Sequence, residues 1–185
     1  LQFPLVALLY YGIDNNIFPG FNLRRIGWLK PFLIGWVWAG LVTLYPLVYA
    51  HLVQQQPFAL TQPVLLFFLQ NFLFVSVISV MFDIKDYAAD SNRQLKTFVV
   101  RNGLRKTIFA LLIPLSVAGW AVYFLFVLNN GASMVILLLS SVPFLFLVLM
   151  ANSLSQRRTI LFYLVVIDGL MLVKALCGIV SALYF

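Results

Sequence analysis

Residues 62–90 read QPVLLFFLQNFLFVSVISVMFDIKDYAAD, and this stretch sets the fold class. Gln62–Phe82 carries no charged residue. At about 1.5 Å of rise per helical residue it spans about 30 Å, the thickness of a bilayer's hydrocarbon core. The apolar run is continuous and lacks period-two alternation, which points to a helix rather than a barrel strand. It passes directly into an acidic segment with Asp83, Asp86 and Asp90. No Gly or Pro interrupts the chain from Val64 to Asn102, so the helix is expected to continue beyond the membrane surface and stop at Asn102-Gly103.

Working outward, four more runs have the length and composition of spans: Trp28–Ala50, Thr107–Asn129, Ser133–Ala151 and Thr159–Tyr184. Leu1–Ile13 is apolar but too short to cross alone, and reads as the end of a truncated helix. The expected fold is therefore all-α: one multi-span transmembrane bundle over residues 1–185, with five full spans and a partial N-terminal helix. Pro46, Pro114 and Pro143 fall inside spans, where they should kink the helices. The start at Leu1, with no Met and no signal peptide, suggests a fragment or a processed chain.

Composition agrees. The 185 residues are 63% hydrophobic and 9% charged, with a mean hydropathy of +1.02. A soluble domain carries about 25% charged residues, so a soluble enzyme, a nucleic-acid-binding module and a disordered tail are all excluded. One His and one Cys supply no zinc or haem ligand set, and Cys177 cannot form an intrachain disulfide.

The net charge of +7 arises from twelve Lys and Arg against five Asp, and its distribution gives an orientation. Arg24 and Arg25 precede the first full span, with Lys30 just inside it. Lys85, Arg93, Lys96, Arg101, Arg105 and Lys106 cluster after the second, and Arg157 and Arg158 follow the fourth. The loops between, 51–61 and 130–132, have no Lys or Arg. By the positive-inside rule the acidic segment is expected to be cytoplasmic and the C-terminus on the opposite side. Trp28 at the inner boundary, with Tyr45, Tyr49, Trp120, Tyr123 and Tyr184 towards the outer one, fits interfacial belts.

The acids are the main chemical signal. Spaced i, i+3 and i+7, Asp83, Asp86 and Asp90 point at about 0°, 300° and 340° on a helix, one narrow face. Like charges so placed repel, and a divalent cation removes the penalty. Mg²⁺ prefers oxygen ligands, typically one or two carboxylates completed by phosphates and water. Arg93, Lys96 and Arg101 follow and could hold phosphate oxygens. Arg93 and Thr97 would fall near the acidic face if the helix continued. The plainer reading is a loop whose acids offset six basic neighbours.

The segment Asp83, Asp86, Asp90, then Lys96-Thr97-Phe98-Val99-Val100-Arg101-Asn102-Gly103 resembles the second aspartate-rich loop of the UbiA family of membrane prenyltransferases. That loop runs D-x-x-D-x-x-x-D, a glycine, and K-T-L-P-V-R-L-G. Gln94 stands at the glycine and Val99 at the proline. Three expected spans follow the loop, as in the nine-helix family fold, and the chain corresponds to the last two-thirds of a member. The family's first motif, N-D-x-x-D-x-x-x-D, has no counterpart; Asp14-Asn15-Asn16 lacks its repeated acids.

The resemblance implies transfer of an isoprenoid chain from a polyprenyl diphosphate to an acceptor, most commonly aromatic and quinone-type. Asp83, Asp86 and Asp90 would be metal ligands for Mg²⁺, with Asp86 and Asp90 as catalytic residues, and Arg93, Lys96 and Arg101 would bind diphosphate. With half of the clamp missing, weak activity or none is expected from this chain alone.

Polar residues inside spans leave a second reading open. Asp168 lies near mid-span, and an intramembrane carboxylate is costly enough to imply function or an interhelical hydrogen bond on the bundle interior. Lys174 is six residues on, about 240° around the helix, so the two cannot pair within it. Asn71 is a candidate for lining a cavity, although interhelical hydrogen bonding accounts for both it and Gln70. On this second reading the protein is a non-catalytic, transporter-like or scaffolding bundle in which Asp168 and Lys174 carry the function.

Overall fold

The computed structural model describes residues 27–55, 57–92, 97–131, 133–156 and 158–183. The partial helix expected at residues 1–13 lies outside them. Among the described residues there is no strand, and five helices are long and apolar enough to cross a membrane: α1 (Gly27–Val53), α2 (Gln62–Lys85), α5 (Leu104–Asn129), α6 (Met134–Ser153) and α7 (Phe162–Leu183). Two short helices, α3 (Tyr87–Asn92) and α4 (Phe98–Asn102), connect α2 to α5. Each long helix begins or ends within a few residues of the limits expected from hydropathy.

The outer surface of the bundle is apolar. Trp36, Leu41, Leu52, Leu138, Leu161, Val165, Leu172 and Leu183 are all exposed, as suits a hydrocarbon surround and not water. The central element is α2, with 61% of its apolar window buried against 22–33% for the other four helices. Its core residues Phe74, Val77, Ile78, Val80 and Met81 pack with Ile108 and Leu112 of α5, Phe144 and Leu147 of α6, and Ile167 of α7.

Neighbouring helices run antiparallel. Phe32 meets Phe72 while Trp36, further along α1, meets Phe68, further back on α2. Likewise Phe126 of α5 meets Phe67, and Gly119 approaches Leu73. The tightest approach is Gly35 of α1 against α2. A Cβ at this position would collide with Ser76 Oγ and lie 2.9 Å from the Phe72 carbonyl oxygen. Small residues let helix backbones close in where hydrophobicity alone gives no drive to associate.

Side-chain hydrogen bonds tie the helices together at points. Asn71 Nδ2 donates to Thr43 Oγ1 at 3.0 Å, joining α2 to α1. Trp120 Nε1 donates to Ser141 Oγ at 2.8 Å, and Ser140 and Ser181 hydroxyls lie 3.0 Å apart, joining α5 to α6 and α6 to α7. Replacing Asn71 by Leu should lower stability by about 0.6 kcal/mol, the usual scale of such bonds; thermal unfolding in detergent would measure it.

The prolines act through the turn before them. Gly40–Leu44 and Ile108–Leu112 are π-helical, and Pro46 and Pro114 follow directly. Tyr45 N–H bonds Gly40 O and Ile113 N–H bonds Ile108 O, one residue further back than in an α-helix. The wider turn makes room for a proline ring that would otherwise strike the carbonyl four residues earlier. A third π segment, Phe162–Ile167, has no proline and ends at Asp168.

Candidate functional site

Asp83 occupies the last turn of α2 and is only 6% exposed. Its Oδ2 is buried and has no hydrogen-bond partner among the described residues. The strongest charge acting on it is Lys30, at the start of α1, followed by Asp90 and Asp86. All this negative charge sits where the carbonyl end of α2 already contributes a negative potential. The bundle therefore gathers three acids at one point, with Lys30 and Lys85 as the opposing charges among the described residues.

Asp86 interrupts the helix, with φ −88° and ψ 2°. Even so, its N–H bonds Phe82 O at 3.2 Å, and Asp90 N–H bonds Asp86 O at 2.9 Å, so the helical path continues into α3 across one irregular residue. The Asp86 side chain is 54% exposed and Lys85 Nζ lies 3.6 Å from its Oδ1, a screened pair of small worth. Asp90 is half-buried.

The uninterrupted helix to Asn102 expected from the sequence does not form. Thr97 is extended (φ −71°, ψ 165°) and caps α4, its Oγ1 accepting from Val100 N–H at 3.4 Å. The competing interaction is tertiary. Phe98 packs edge-on against Trp28 and Phe32, with ring centroids 5.8 and 5.9 Å away, and Val99 is fully buried. Thr97 is accordingly buried beneath α4 instead of extending the acidic face. The stop at Gly103 does occur, with φ +79°. Arg93 and Lys96 lie outside the described residues. Arg101 is exposed in the last turn of α4, and it is not among the charges acting on Asp83.

For Mg²⁺ the fit is that of a partial ligand set. Among the described residues no three acidic, His or Cys side chains converge tightly enough to hold an ion. The buried, unpartnered Asp83 Oδ2 is the kind of atom a cation satisfies. One or two carboxylates completed by phosphate oxygens is also the usual protein share of a Mg²⁺ site.

A second feature lies elsewhere. A cavity of about 610 Å³ lies between α1, α2, α5, α6 and α7, with Phe67, Gln70, Asn71, Phe74, Tyr123 and Phe144 in its wall. Lys174 lines it too, its Nζ donating to Gln70 Oε1 at 2.8 Å and standing 4.2 Å over the Phe74 ring. Gln70 precedes Asp83 by thirteen residues of continuous helix, about 20 Å, so cavity and acids occupy opposite halves of the bundle. Asn71 is a wall residue as well as the donor to Thr43.

Asp168 is exposed and is not part of the wall, in contrast to its expected inward placement. A π turn precedes it. Asp168 N–H reaches back five residues to Tyr163 O, which rotates the following residues away from positions counted at 100° each. Tyr123, grouped with interfacial aromatics by its position, is instead buried against Phe126 and Phe144.

Two relations escaped the sequence. Lys30, whose charge acts on Asp83, had its signal in the expected antiparallel α1–α2 hairpin, which brings residue 30 to the acidic end. Lys174 with Gln70 had a weaker one, two polar residues at similar depth in helices distant in sequence. No protein-family model, curated protein or solved structure matches the chain.

Proposed function

We propose that the chain is the Mg²⁺- and diphosphate-binding part of an integral-membrane prenyltransferase of the UbiA type, with its acidic end at the cytoplasmic surface of the bilayer. The observation that carries this reading is Asp83: a buried carboxylate oxygen without a partner among the described residues, beside two further acids, at the end of the most buried apolar helix. The five apolar helices support the membrane setting. The alternation of basic loops supports the orientation.

Asp83, Asp86 and Asp90 would hold the metal, Asp86 from the more exposed side of the acidic face. Mg²⁺ bound there supplies positive charge to a diphosphate leaving group, whose developing charge is what such a site stabilises best. Lys30 is a cation already placed at this end, as is Lys85 beside Asp86; Arg101, and Arg93 and Lys96 outside the described residues, are the candidates for phosphate oxygens. In the transfer, the allylic C–O bond breaks with its electron pair leaving on diphosphate. The acceptor's electron-rich atom forms the new C–C or C–O bond and then loses a proton. An aromatic acceptor of the quinone-precursor kind suits this chemistry.

Purified protein in detergent should bind geranylgeranyl diphosphate in the presence of Mg²⁺ and lose most of that binding in EDTA. Asp86→Asn and Asp90→Asn should each weaken it by about tenfold or more, the scale of a lost charge-assisted contact. Undiminished binding by both variants removes the assigned metal role.

The separation of the cavity from the acids favours one other reading, a non-catalytic transporter-like or scaffolding bundle whose function centres on Lys174. It predicts that Lys174 and Asp168 variants impair the protein more than Asp86→Asn does.

A further inference from the structure

Lys174 is the unusual group in this bundle. It lies twelve residues into α7 from Phe162, about 18 Å along the axis. Its side chain turns to Gln70 across the bundle instead of reaching for the bilayer surface. An ammonium has three N–H donors, and one is used on Gln70. The faces of Phe74 and Phe144, at 4.2 and 5.5 Å from Nζ, offer cation–π attraction but accept no conventional hydrogen bond. Among the described residues no carboxylate lies within ion-pair distance of it, and Asp168 faces outward. A charge so placed costs several kcal/mol unless an opposite charge joins it.

The cavity at Lys174 has the matching shape and polarity. Its 610 Å³ falls within the range of ligand pockets. Aromatic and aliphatic side chains form most of the wall, including Phe67, Phe126, Ile136 and Met171. Trp38 and Val42 of α1 belong to the wall and are also exposed, so among the described residues the cavity reaches the lipid-facing surface of the bundle. A guest would enter sideways from the bilayer, with its anionic end reaching Lys174.

We infer that this cavity binds a single-chain amphiphile with a carboxylate head, a long-chain fatty acid, whose carboxylate pairs with Lys174 while its alkyl chain fills the apolar wall. The carboxylate takes the two free ammonium donors, and Gln70 keeps the third. This site is about 20 Å from Asp83 along α2, and needs neither the acids nor a metal.

The test is equilibrium binding of radiolabelled palmitate and hexadecanol to the purified full chain in detergent with EDTA present. The wild type should bind palmitate at least about tenfold more tightly than hexadecanol, the effect of one added charge pair in an apolar site. Lys174→Met should remove that preference while leaving hexadecanol binding unchanged, and Lys174→Arg should retain it. Geranylgeranyl diphosphate with Mg²⁺ should leave palmitate bound, and acetate should not compete. Equal binding of acid and alcohol by the wild type overturns the inference without any variant having to fold. Competition by acetate would assign the site to free anions, and displacement by the prenyl diphosphate would make it part of the proposed transferase site; either result also overturns it. Loss of palmitate binding by Asp86→Asn would do the same, whereas failure of diphosphate binding alone leaves it standing.

Discussion

Replacing Asp83 with Asn should raise the apparent melting temperature of the metal-free protein in EDTA and abolish its response to Mg²⁺ and a prenyl diphosphate. The first effect follows from burial. Asp83 is 6% exposed, its Oδ2 has no partner among the described residues, and the neighbouring acids repel it. Removing the charge while keeping the shape relieves desolvation and repulsion at the cost of the attraction to Lys30, a net gain of about 1–2 kcal/mol. In a chain of this length that is about 3–6 °C. The second effect follows from linkage: a ligand at a hundred times its Kd stabilises the folded state by about 2.7 kcal/mol. The wild type should show that shift, and the variant should not. Residues held in place against their own stability are characteristic of functional sites. A lower melting temperature for Asp83→Asn would instead make the carboxylate a structural partner of Lys30, and the metal role would fall with it.

The place of Asp83, a carboxylate ending a long uncharged run, was legible from the sequence. Its environment was not. Hydropathy locates Gln62–Lys85 nearly to the residue, since the bilayer sets helix length. It says much less about which face turns inward when almost every position is apolar. Gln70, Asn71 and Lys174 were visible as polar residues in spans, but their partners across the bundle depend on rotation about each helix axis. The π turns shift that rotation further, and Asp168 shows the consequence. Thr97 illustrates a different limit. Local signals favoured helix up to Asn102, but docking of Phe98 and Val99 against α1 and α2 overrode them. Propensity is a weak prior against a buried aromatic contact.

Two glycine-to-alanine substitutions should have opposite signs. At Gly169 an added Cβ meets nothing within 4 Å, so alanine should stabilise α7 by up to about 1 kcal/mol through helix propensity alone. At Gly35 the same methyl collides with Ser76 Oγ and lies 2.9 Å from the Phe72 carbonyl oxygen. Ser76 can yield by changing rotamer, but the carbonyl belongs to the backbone of α2 and moves only if the helices separate. Overpacking of this kind costs about 1–3 kcal/mol, and here it loosens the contact between α1 and α2 that also fixes Lys30 near Asp83. Ser76→Ala alone should be neutral or stabilising, because Ser76 Oγ is buried without a hydrogen-bond partner. The double variant should recover the part of the Gly35→Ala loss that comes from the hydroxyl, and not the part that comes from the Phe72 carbonyl. Thermal unfolding of the four proteins in one detergent closes the cycle. Full additivity would mean that Gly35 and Ser76 do not touch, and the close packing of α1 on α2 would have to be abandoned. Partial recovery would establish that the α1–α2 spacing is set by backbone contact, and with it the position of Lys30, whose charge acts on Asp83.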